Sequence, residues 1–357
     1  MPEKGLSGKH FAALVMMFLL GSPVVTGMAR ASGQNSWLAT LAAIPAALLL
    51  LLVFARLCAL YPGLSLFDML ERALGKFAGR LVALYYAVAL TLLAAHHTGM
   101  FLTFLGIAFL PRTPKIVTGL ILLLLCLLLL HGSVEALGRS AFVFAVLTVL
   151  FLVLTTVFLG NIMIPEKLLP AWDVRLETLA RDAAFQLFYP FADAAFCLIF
   201  AGSLRLSTKP RRALLGGFFV GAGLLLAGAL RDIMSLGGPA YATSHYPAYI
   251  AASLVSIGGF FQRAEALMGA VFLFCIVIKL SALLFGAASG MALLFRMPSP
   301  RRLFAPLALM VLILSLALFN ESREWRATLL FALLPAQTLL PFLVWLVAEF
   351  RVRRRTV

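Results

Sequence analysis

Charged side chains are scarce in this chain of 357 residues, since Asp, Glu, Lys and Arg make up only 12% of it. A soluble domain carries about twice that share. With 63% apolar residues, a soluble monomer would expose more apolar surface than water tolerates. The composition therefore excludes an ordinary cytosolic enzyme, a secreted domain and a disordered chain. Together with a mean hydropathy of +1.04, it predicts a protein that crosses a membrane many times.

The motifs of common catalytic sites are also missing. The four cysteines form no CxxC pair, which argues against a zinc or redox site, and we expect them to be small buried hydrophobes. The chain has no Walker loop, no GxSxG and no HExxH. The glycines between Gly216 and Gly228 lie inside an apolar run, where they favour close helix packing over dinucleotide binding. The sequence therefore predicts no enzyme, no catalytic residue, no metal and no cofactor.

Long apolar runs are abundant. Dividing the chain at charges and turn residues gives ten candidate membrane helices. They cover approximately residues 11–30, 36–57, 81–110, 115–132, 140–163, 184–204, 213–231, 266–295, 303–320 and 327–349. The stretch 232–262 holds several Gly and Pro residues, and we expect it to form a long outer loop with one or two short helices.

The basic residues predict the orientation. Because so many spans follow, the apolar run near the N-terminus is interpreted as the first span rather than a cleaved signal peptide. If both termini are cytoplasmic, the inner segments hold 18 Lys and Arg residues and the outer connections hold 10. This bias supports termini on the inner side. The basic cytoplasmic tail 350–357 then suits anionic lipid headgroups rather than nucleic acid.

Two connections are expected to carry surface helices. From Ser65, the apolar residues Phe67, Leu70, Leu74 and Phe77 share one helical face, and Asp68 stands where a capping box requires an acid. We expect this helix to lie in the inner membrane interface. On the outer side, mixed charges over 173–182 predict a helical loop.

Two spans are interrupted in their middle, by Gly21-Ser22-Pro23 in the first and by Tyr189-Pro190 in the sixth. Broken backbone in lipid is tolerated only inside the protein or beside a cavity. The first span starts inside and the sixth outside, so two halves of five spans would be inverted relative to each other. Transporters that bind a substrate near the midplane have this pattern, although harmless proline kinks are the alternative. The sequence thus predicts an all-α membrane protein of one domain, 1–357, with repeats at about 11–163 and 184–349.

We expect a ligand to bind between the breaks. The predicted contacts are Gly21, Ser22, Pro23 and Thr26 from the first span and Tyr189, Pro190, Ala192 and Asp193 from the sixth.

Ionisable residues deep in spans point to the same region. Lys279, central in the eighth span, is interpreted either as a fixed positive charge in place of a coupling ion or as a structural partner of Asp193. As an ion surrogate it is expected to donate to carbonyls freed near Gly21 and Ser22. His96 and His97 in the third span either line the cavity or join helices.

Several motifs together resemble the spore germination permease family, the membrane-embedded B subunits of spore germinant receptors. The similar segments, spread over nearly the whole chain, are Ser32–Trp37, Leu74-Gly75-Lys76 with Gly79-Arg80, Leu110–Pro114, Gly132 to Arg139, Tyr246-Pro247, Ser256-Ile257-Gly258, Phe260–Glu265 and Lys279. The chain departs from the family pattern at Pro23, where the family often has a glycine, and at Ala192-Asp193, where it has Gly-Glu.

The resemblance implies a fold of the amino acid–polyamine–organocation superfamily, LeuT-like, with a five-plus-five inverted repeat and broken helices 1 and 6. It implies sensing of a small germinant, usually an amino acid, together with an A subunit and a C lipoprotein in the inner spore membrane. No nucleic-acid partner is expected, because the basic tail suits lipid headgroups. A working permease for amino acids or similar solutes is the alternative function, and a scaffold without a ligand is a third.

Overall fold

The computed structural model describes residues 5–255, 263–318 and 332–356, with side chains up to residue 351. Within these residues, eight helical segments are long and apolar enough to cross a membrane, and the shorter apolar helices Gly8–Leu20 and Lys115–His131 bring the number to ten. Apart from one isolated bridge between Leu6 and Leu204, the described residues form no β-structure. Parts of the expected motifs at 256–262, Lys4, the start of the predicted tenth span and the side chains of the tail beyond Arg351 lie outside the described residues.

The first five spans follow the predicted order. The helices are α1 (Gly8–Leu20), α2 (Pro23–Thr26), α3 (Ser36–Leu60), α4 (Leu66–Leu74), α5 (Lys76–Ala108), α6 (Lys115–His131) and α7 (Val134–Leu159). A short 3₁₀ helix, Arg30–Asn35, joins α2 to α3. The first span is thus α1 and α2 together.

The second five spans begin with α8. The helices are α8 (Leu176–Phe188), the 3₁₀ helix Phe191–Ser203, α9 (Pro210–Leu236), α10 (Gly238–Thr243), α11 (Pro247–Ser253), α12 (Glu265–Leu294), α13 (Phe304–Leu318), the π-helical turn Pro335–Leu339 and the C-terminal helix Leu340–Thr356. The sixth span is α8 followed by the 3₁₀ helix. The short helices expected in the stretch 232–262 are present as α10 and α11.

The core lies around α12. This helix is apolar all round, as expected for a helix surrounded by protein, and it packs against α5, α6, α7 and α1. The N-terminal half of the first span, α1, also packs against α9. All four cysteines are free and buried, in agreement with their predicted role as small hydrophobes.

The N-terminal segment is fastened beside the sixth span. The N–H of Leu6 donates to the carbonyl of Ser203 (2.8 Å), and the N–H of Arg205 donates to the carbonyl of Leu6 (3.0 Å). The N–H of Gly5 donates to Oε1 of Glu135 (2.8 Å) in α7. These bonds hold the start of α1 against the ends of two other spans on the face of the protein that carries the N-terminus.

The surface helix predicted from Ser65 exists, but its setting differs from the expectation. The capping box between Ser65 and Asp68 is present, and it explains where α4 begins. The apolar face of α4 packs beneath α5, the sixth span and the C-terminal helix, so Phe67 and Leu70 are buried by protein. Phe77 belongs to α5 and is 88% exposed, because Gly75 ends α4 before that residue is reached.

The sixth and seventh spans are longer than predicted. The charged segment 173–182 is not a separate helix, since most of it is the start of α8, in which Leu179 is buried. Its carboxylate Asp182 accepts from the N–H (2.8 Å) and the hydroxyl (2.7 Å) of Ser32. Helix α9 continues past residue 231 to Leu236. Arg231, the last residue of the predicted seventh span, is therefore buried inside the protein together with Asp232, to which it is bonded with Nε–Oδ1 of 2.9 Å. Because the two charges neutralise each other, these residues can lie inside the protein, whereas an argument based on loop charges places them at or beyond the end of the span.

Candidate functional site

The first span is broken at the predicted position. Helix α1 ends at Leu20, and Gly21 adopts φ +28°, a conformation that suits glycine because it has no side chain. Pro23 then starts α2, since proline needs no hydrogen-bond acceptor at the first position of a helix. The hydroxyl of Thr26 donates to the carbonyl of Ser22 (3.1 Å). The same carbonyl also accepts from the backbone N–H groups of Val25 and Thr26 (both 3.0 Å), so the start of α2 is well bonded.

The sixth span is broken at the same level. Helix α8 ends at Phe188, Tyr189 is extended, and the 3₁₀ helix begins after Pro190. The hydroxyl of Tyr189 shares a hydrogen bond with the hydroxyl of Ser22. The two breaks are therefore in direct contact.

Beside this contact lies a fully buried ion pair. Nζ of Lys279 in α12 is 2.6 Å from Oδ2 of Asp193, and neither side chain has any exposed surface. The ammonium also lies 4.8 Å from the ring centre of Phe18 and 5.4 Å from that of Tyr189. Aromatic faces attract cations at such distances. A carboxylate and two rings thus surround the ammonium.

The ammonium is bonded differently from the sequence expectation. Its hydrogen bond goes to Asp193 rather than to the carbonyls near Gly21 and Ser22. It is nevertheless close to the first break, since a Cβ atom on Gly21 would lie 3.0 Å from Cδ of Lys279 and 3.4 Å from Nζ. A carboxylate neutralises a buried ammonium better than carbonyl dipoles do, which explains the preference.

The sequence reasoning missed Gln337. This residue is 2% exposed and lies in the π-helical turn of the tenth span, where Nε2 donates to Oδ1 of Asp193. Such irregular turns often occur at functional sites. An amide inside an apolar run was the available signal, but the sequence argument weighed only ionisable residues. Each oxygen of Asp193 is thereby bonded to a different span.

The two histidines extend the polar cluster into α5. His97 is fully buried, its Nδ1 lies 3.5 Å from Oγ of Ser22, and its ring stacks on that of Tyr189 with centroids 6.0 Å apart. Its Nε2 has no hydrogen-bond partner among the described residues. The ring of His96 lies 5.5 Å from that of His97, one step further from the breaks. His97 therefore contacts both breaks, at Ser22 and at Tyr189.

The remaining expected site residues lie in the same region. Pro23, Pro190 and Ala192 are buried, and Thr26 is half-buried. The Tyr241 hydroxyl donates to the carbonyl of Met28 (2.8 Å) and accepts from its N–H (3.0 Å), which fixes the chain that follows α2. Burial raises the pKa of Tyr241 to about 12, so this phenol stays protonated. The described residues contain no group of His, Cys, Asp and Glu side chains that could hold a metal ion.

Comparison with known proteins relates this chain to spore germination proteins by sequence and to transporters by fold. The family model described as "Spore germination protein" matches residues 5–323. The spore germination protein YfkT of Bacillus subtilis strain 168 is 24% identical over 305 residues, which cover 84% of this chain and 82% of that protein. Spore germination protein KB of the same strain is 22% identical over 368 aligned positions, which cover 99% of this chain and 97% of that protein.

Solved transporter structures share the fold. The crystal structure of MhsT in complex with L-phenylalanine superposes with a TM-score of 0.70 at 12% identity, over 98% of this chain and 89% of that one. A Na⁺-coupled sialic acid symporter in a substrate-bound outward-open state gives a TM-score of 0.64 at 14% identity, over 92% of this chain and 76% of that one. At such identities the likeness concerns the fold. These relatives and neighbours are germination proteins and transporters rather than enzymes.

Proposed function

Because this chain belongs to the spore germination protein family, we propose that it is the membrane-embedded nutrient-sensing subunit of a spore germinant receptor. It binds a small germinant such as an amino acid between the breaks of its first and sixth spans, and this binding triggers germination. The family match supports a germination role, and the LeuT-like fold supports a transporter-like site.

One observation carries the location of the site. Both breaks meet at the contact between Ser22 and Tyr189, and the buried pair of Asp193 and Lys279 lies beside it. Burying two charges costs free energy even when they are paired. A buried pair inside a membrane protein therefore points to a role beyond stability. The ligand contacts in this proposal are Gly21, Ser22, Pro23, Thr26, Tyr189, Pro190, Ala192 and Asp193, with His97 and His96 as further lining residues.

In this proposal, Lys279 takes the place of a coupling cation. Its ammonium supplies a fixed positive charge beside the first break, so ligand binding needs no sodium ion. The receptor complex contains an A subunit and a C lipoprotein, and it lies in the inner spore membrane with both termini of this chain in the cytoplasm. The two inverted repeats, about 11–163 and 184–349, form one domain whose halves move relative to each other.

The proposal is tested in spores. Removing this chain should abolish the response to one nutrient class while leaving germination by a receptor-independent trigger intact, and restoring the chain should restore the response. Spores that respond normally to every nutrient without it would contradict the proposal.

A secondary transporter is the second candidate, favoured by the fold shared with MhsT and the sialic acid symporter. The purified chain alone in liposomes distinguishes the two functions. Accumulation of a labelled amino acid against its gradient supports transport, whereas saturable binding without accumulation supports a sensor.

A further inference from the structure

We propose that a cavity at the N-terminal face binds the headgroup of an anionic phospholipid. The cavity includes Gly5 and lies at the ends of spans, whereas the breaks lie in the middle of theirs. It shares no residue with the ligand contacts proposed above, so either proposal can fail without the other. In the proposed orientation this face is cytoplasmic, and the lipid comes from the inner leaflet.

The cavity has the size and the lining of a site for an amphiphile. Its volume is about 500 Å³, and sites for small molecules are typically about 300–1,000 Å³. It can therefore hold a headgroup and the first carbons of the acyl chains. Its apolar wall consists of Leu129, Leu130, Leu137, Phe285 and Phe304. These residues belong to α6, α7, α12 and α13, so spans from both predicted repeats meet around the cavity.

The bilayer reaches the edge of this cavity. Leu120, Leu124 and Leu128 form a stripe along α6, Leu309 and Ile313 form another along α13, and each of the five is more than half exposed. Exposed apolar stripes on membrane spans face lipid. Leu128 directly precedes the first leucine of the apolar wall in the sequence. A lipid beside α6 and α13 is therefore next to the cavity.

The polar side of the cavity carries a positive charge without a partner. Arg301 lines it, and none of the ion pairs among the described residues includes this guanidinium. Ser299, also in the lining, begins the short 3₁₀ helix Pro300–Leu303, and its oxygen accepts from the N–H of Arg301 (3.4 Å). Because that oxygen accepts the bond, its own proton remains available to a ligand. Both groups suit a phosphate, since a guanidinium pairs well with phosphate oxygens.

The one carboxylate in the lining is already engaged. Oε1 of Glu135 accepts from the N–H of Gly5 (2.8 Å). Arg139 lies one turn further along α7, where its positive charge acts on the same carboxylate. The N-terminal segment and Arg139 thus offset the charge of Glu135, and the charge left for a ligand to neutralise is that of Arg301.

These features together favour a phospholipid over a soluble anion. A soluble phosphate satisfies Arg301 but leaves the apolar wall in contact with water, whereas a neutral lipid covers the wall and leaves the guanidinium without a counter-charge. An anionic phospholipid does both. Basic pockets between the cytoplasmic ends of membrane spans bind such headgroups in other proteins.

A bound headgroup also has a mechanical consequence. It contacts α6 and α7 from the first predicted repeat together with α12 and α13 from the second. A ligand that binds the folded protein and not the unfolded chain stabilises it. Anionic lipid should therefore raise the thermal unfolding temperature of the protein.

The first test uses the unmodified full chain in uncharged detergent. Phosphatidylglycerol and phosphatidylcholine with the same acyl chains are titrated in, and bound lipid is counted by native mass spectrometry. Phosphatidylglycerol should bind about fivefold more tightly or better, the contribution of one base near an anionic headgroup, and should raise the unfolding temperature more. Equal binding of the two lipids would overturn the proposal.

The second test locates the lipid with a matched pair of variants. Arg301→Gln should weaken phosphatidylglycerol binding about fivefold and leave phosphatidylcholine unchanged. Arg302→Gln removes the same charge from the same 3₁₀ helix, but its side chain does not line the cavity, so it should have little effect. Equal losses in both variants would show attraction to the basic surface as a whole and would overturn the site.

A third variant tests the sign of the charge that is recognised. Glu135→Gln keeps an acceptor for the N–H of Gly5 and removes the negative charge from the lining, so phosphatidylglycerol should bind at least as tightly as before. Weaker binding in Glu135→Gln, with none lost in Arg301→Gln, would mean that the cavity takes a cation, and the proposal would be wrong.

Glycerol phosphate separates a lipid from a soluble anion. It carries the phosphate without acyl chains, so it should not displace phosphatidylglycerol from the unmodified chain at equal concentration. Displacement at equal concentration would make the cavity a site for soluble phosphates and would overturn the lipid assignment. Both comparisons on the unmodified chain remain decisive where a variant fails to fold.

Discussion

The ammonium of Lys279 and the carboxylate of Asp193 lie 2.6 Å apart with no exposed surface on either side chain. The bond joins α12 to the sixth span immediately after its break, and the amide of Gln337 extends the link to the tenth span. Three membrane spans therefore meet at one carboxylate. Any ligand that enters between the breaks has to break these bonds or bind beside them.

Replacing the lysine should destabilise the protein strongly. In Lys279→Met the apolar stem is largely kept but Asp193 loses its charged partner, and removing one member of a buried pair costs about 3–5 kcal/mol. We expect a large drop in the thermal unfolding temperature of the purified protein, or loss of nutrient response where the variant still folds. Lys209→Met, at an exposed position, should have little effect. Normal stability and normal response in Lys279→Met would show that the pair is dispensable.

The amide of Gln337 should contribute to stability through its bond to Asp193. Gln337→Leu keeps a similar volume but removes the donor to Oδ1, and a buried acceptor left without a partner costs about 1–3 kcal/mol. Thermal unfolding measures this loss. The control is Thr338→Val, which removes only a hydroxyl bonded to its own helix at Leu334. Equal effects of the two substitutions would contradict the proposed role of the amide.

Gly21 should accept no larger side chain. Its φ of +28° disfavours any other residue, typically by about 1–2 kcal/mol, and a Cβ atom would meet Cδ of Lys279 at 3.0 Å. Gly21→Ala should lower stability, and Gly21→Trp should block ligand binding where the protein folds. Gly216→Ala is the matched control, since nothing lies within 4 Å of its added Cβ. A folded Gly21→Trp protein with unchanged nutrient binding would place the site elsewhere.

Ligand sensing should not require sodium, because the ammonium of Lys279 already provides a positive charge beside the first break. Nutrient binding to the purified chain should therefore have the same affinity in sodium, potassium and choline chloride at equal ionic strength. Binding that disappears when sodium is replaced would contradict the role of Lys279 as a cation substitute.

Much of the fold could be predicted because the breaks have local causes. Gly21 and Pro23 in one apolar run, and Pro190 in another, interrupt helices whatever surrounds them. The capping box at Ser65 likewise determines where α4 begins. Such features depend on neighbours in the chain, and they are visible in the sequence.

The parts that escaped prediction depend on distant partners. Arg231 and Asp232 look like loop residues in the sequence because both are charged. In the structure they pair with each other and are buried. The importance of Gln337 arises only when a span more than a hundred residues away brings Asp193 to it. The sequence also placed α4 in the membrane interface, since an apolar face does not tell whether lipid or protein covers it.

The central claim is that a small nutrient binds between the two breaks. Its most direct test is a cryo-electron microscopy map of the full chain in nanodiscs with the amino acid that binds most tightly. The account predicts ligand density in contact with Ser22, Tyr189 and Asp193. The cavity of about 500 Å³, lined by Glu135, Arg301 and Phe304, lies at the N-terminal face. Density of this amino acid in that cavity, with none between the breaks, would contradict the account.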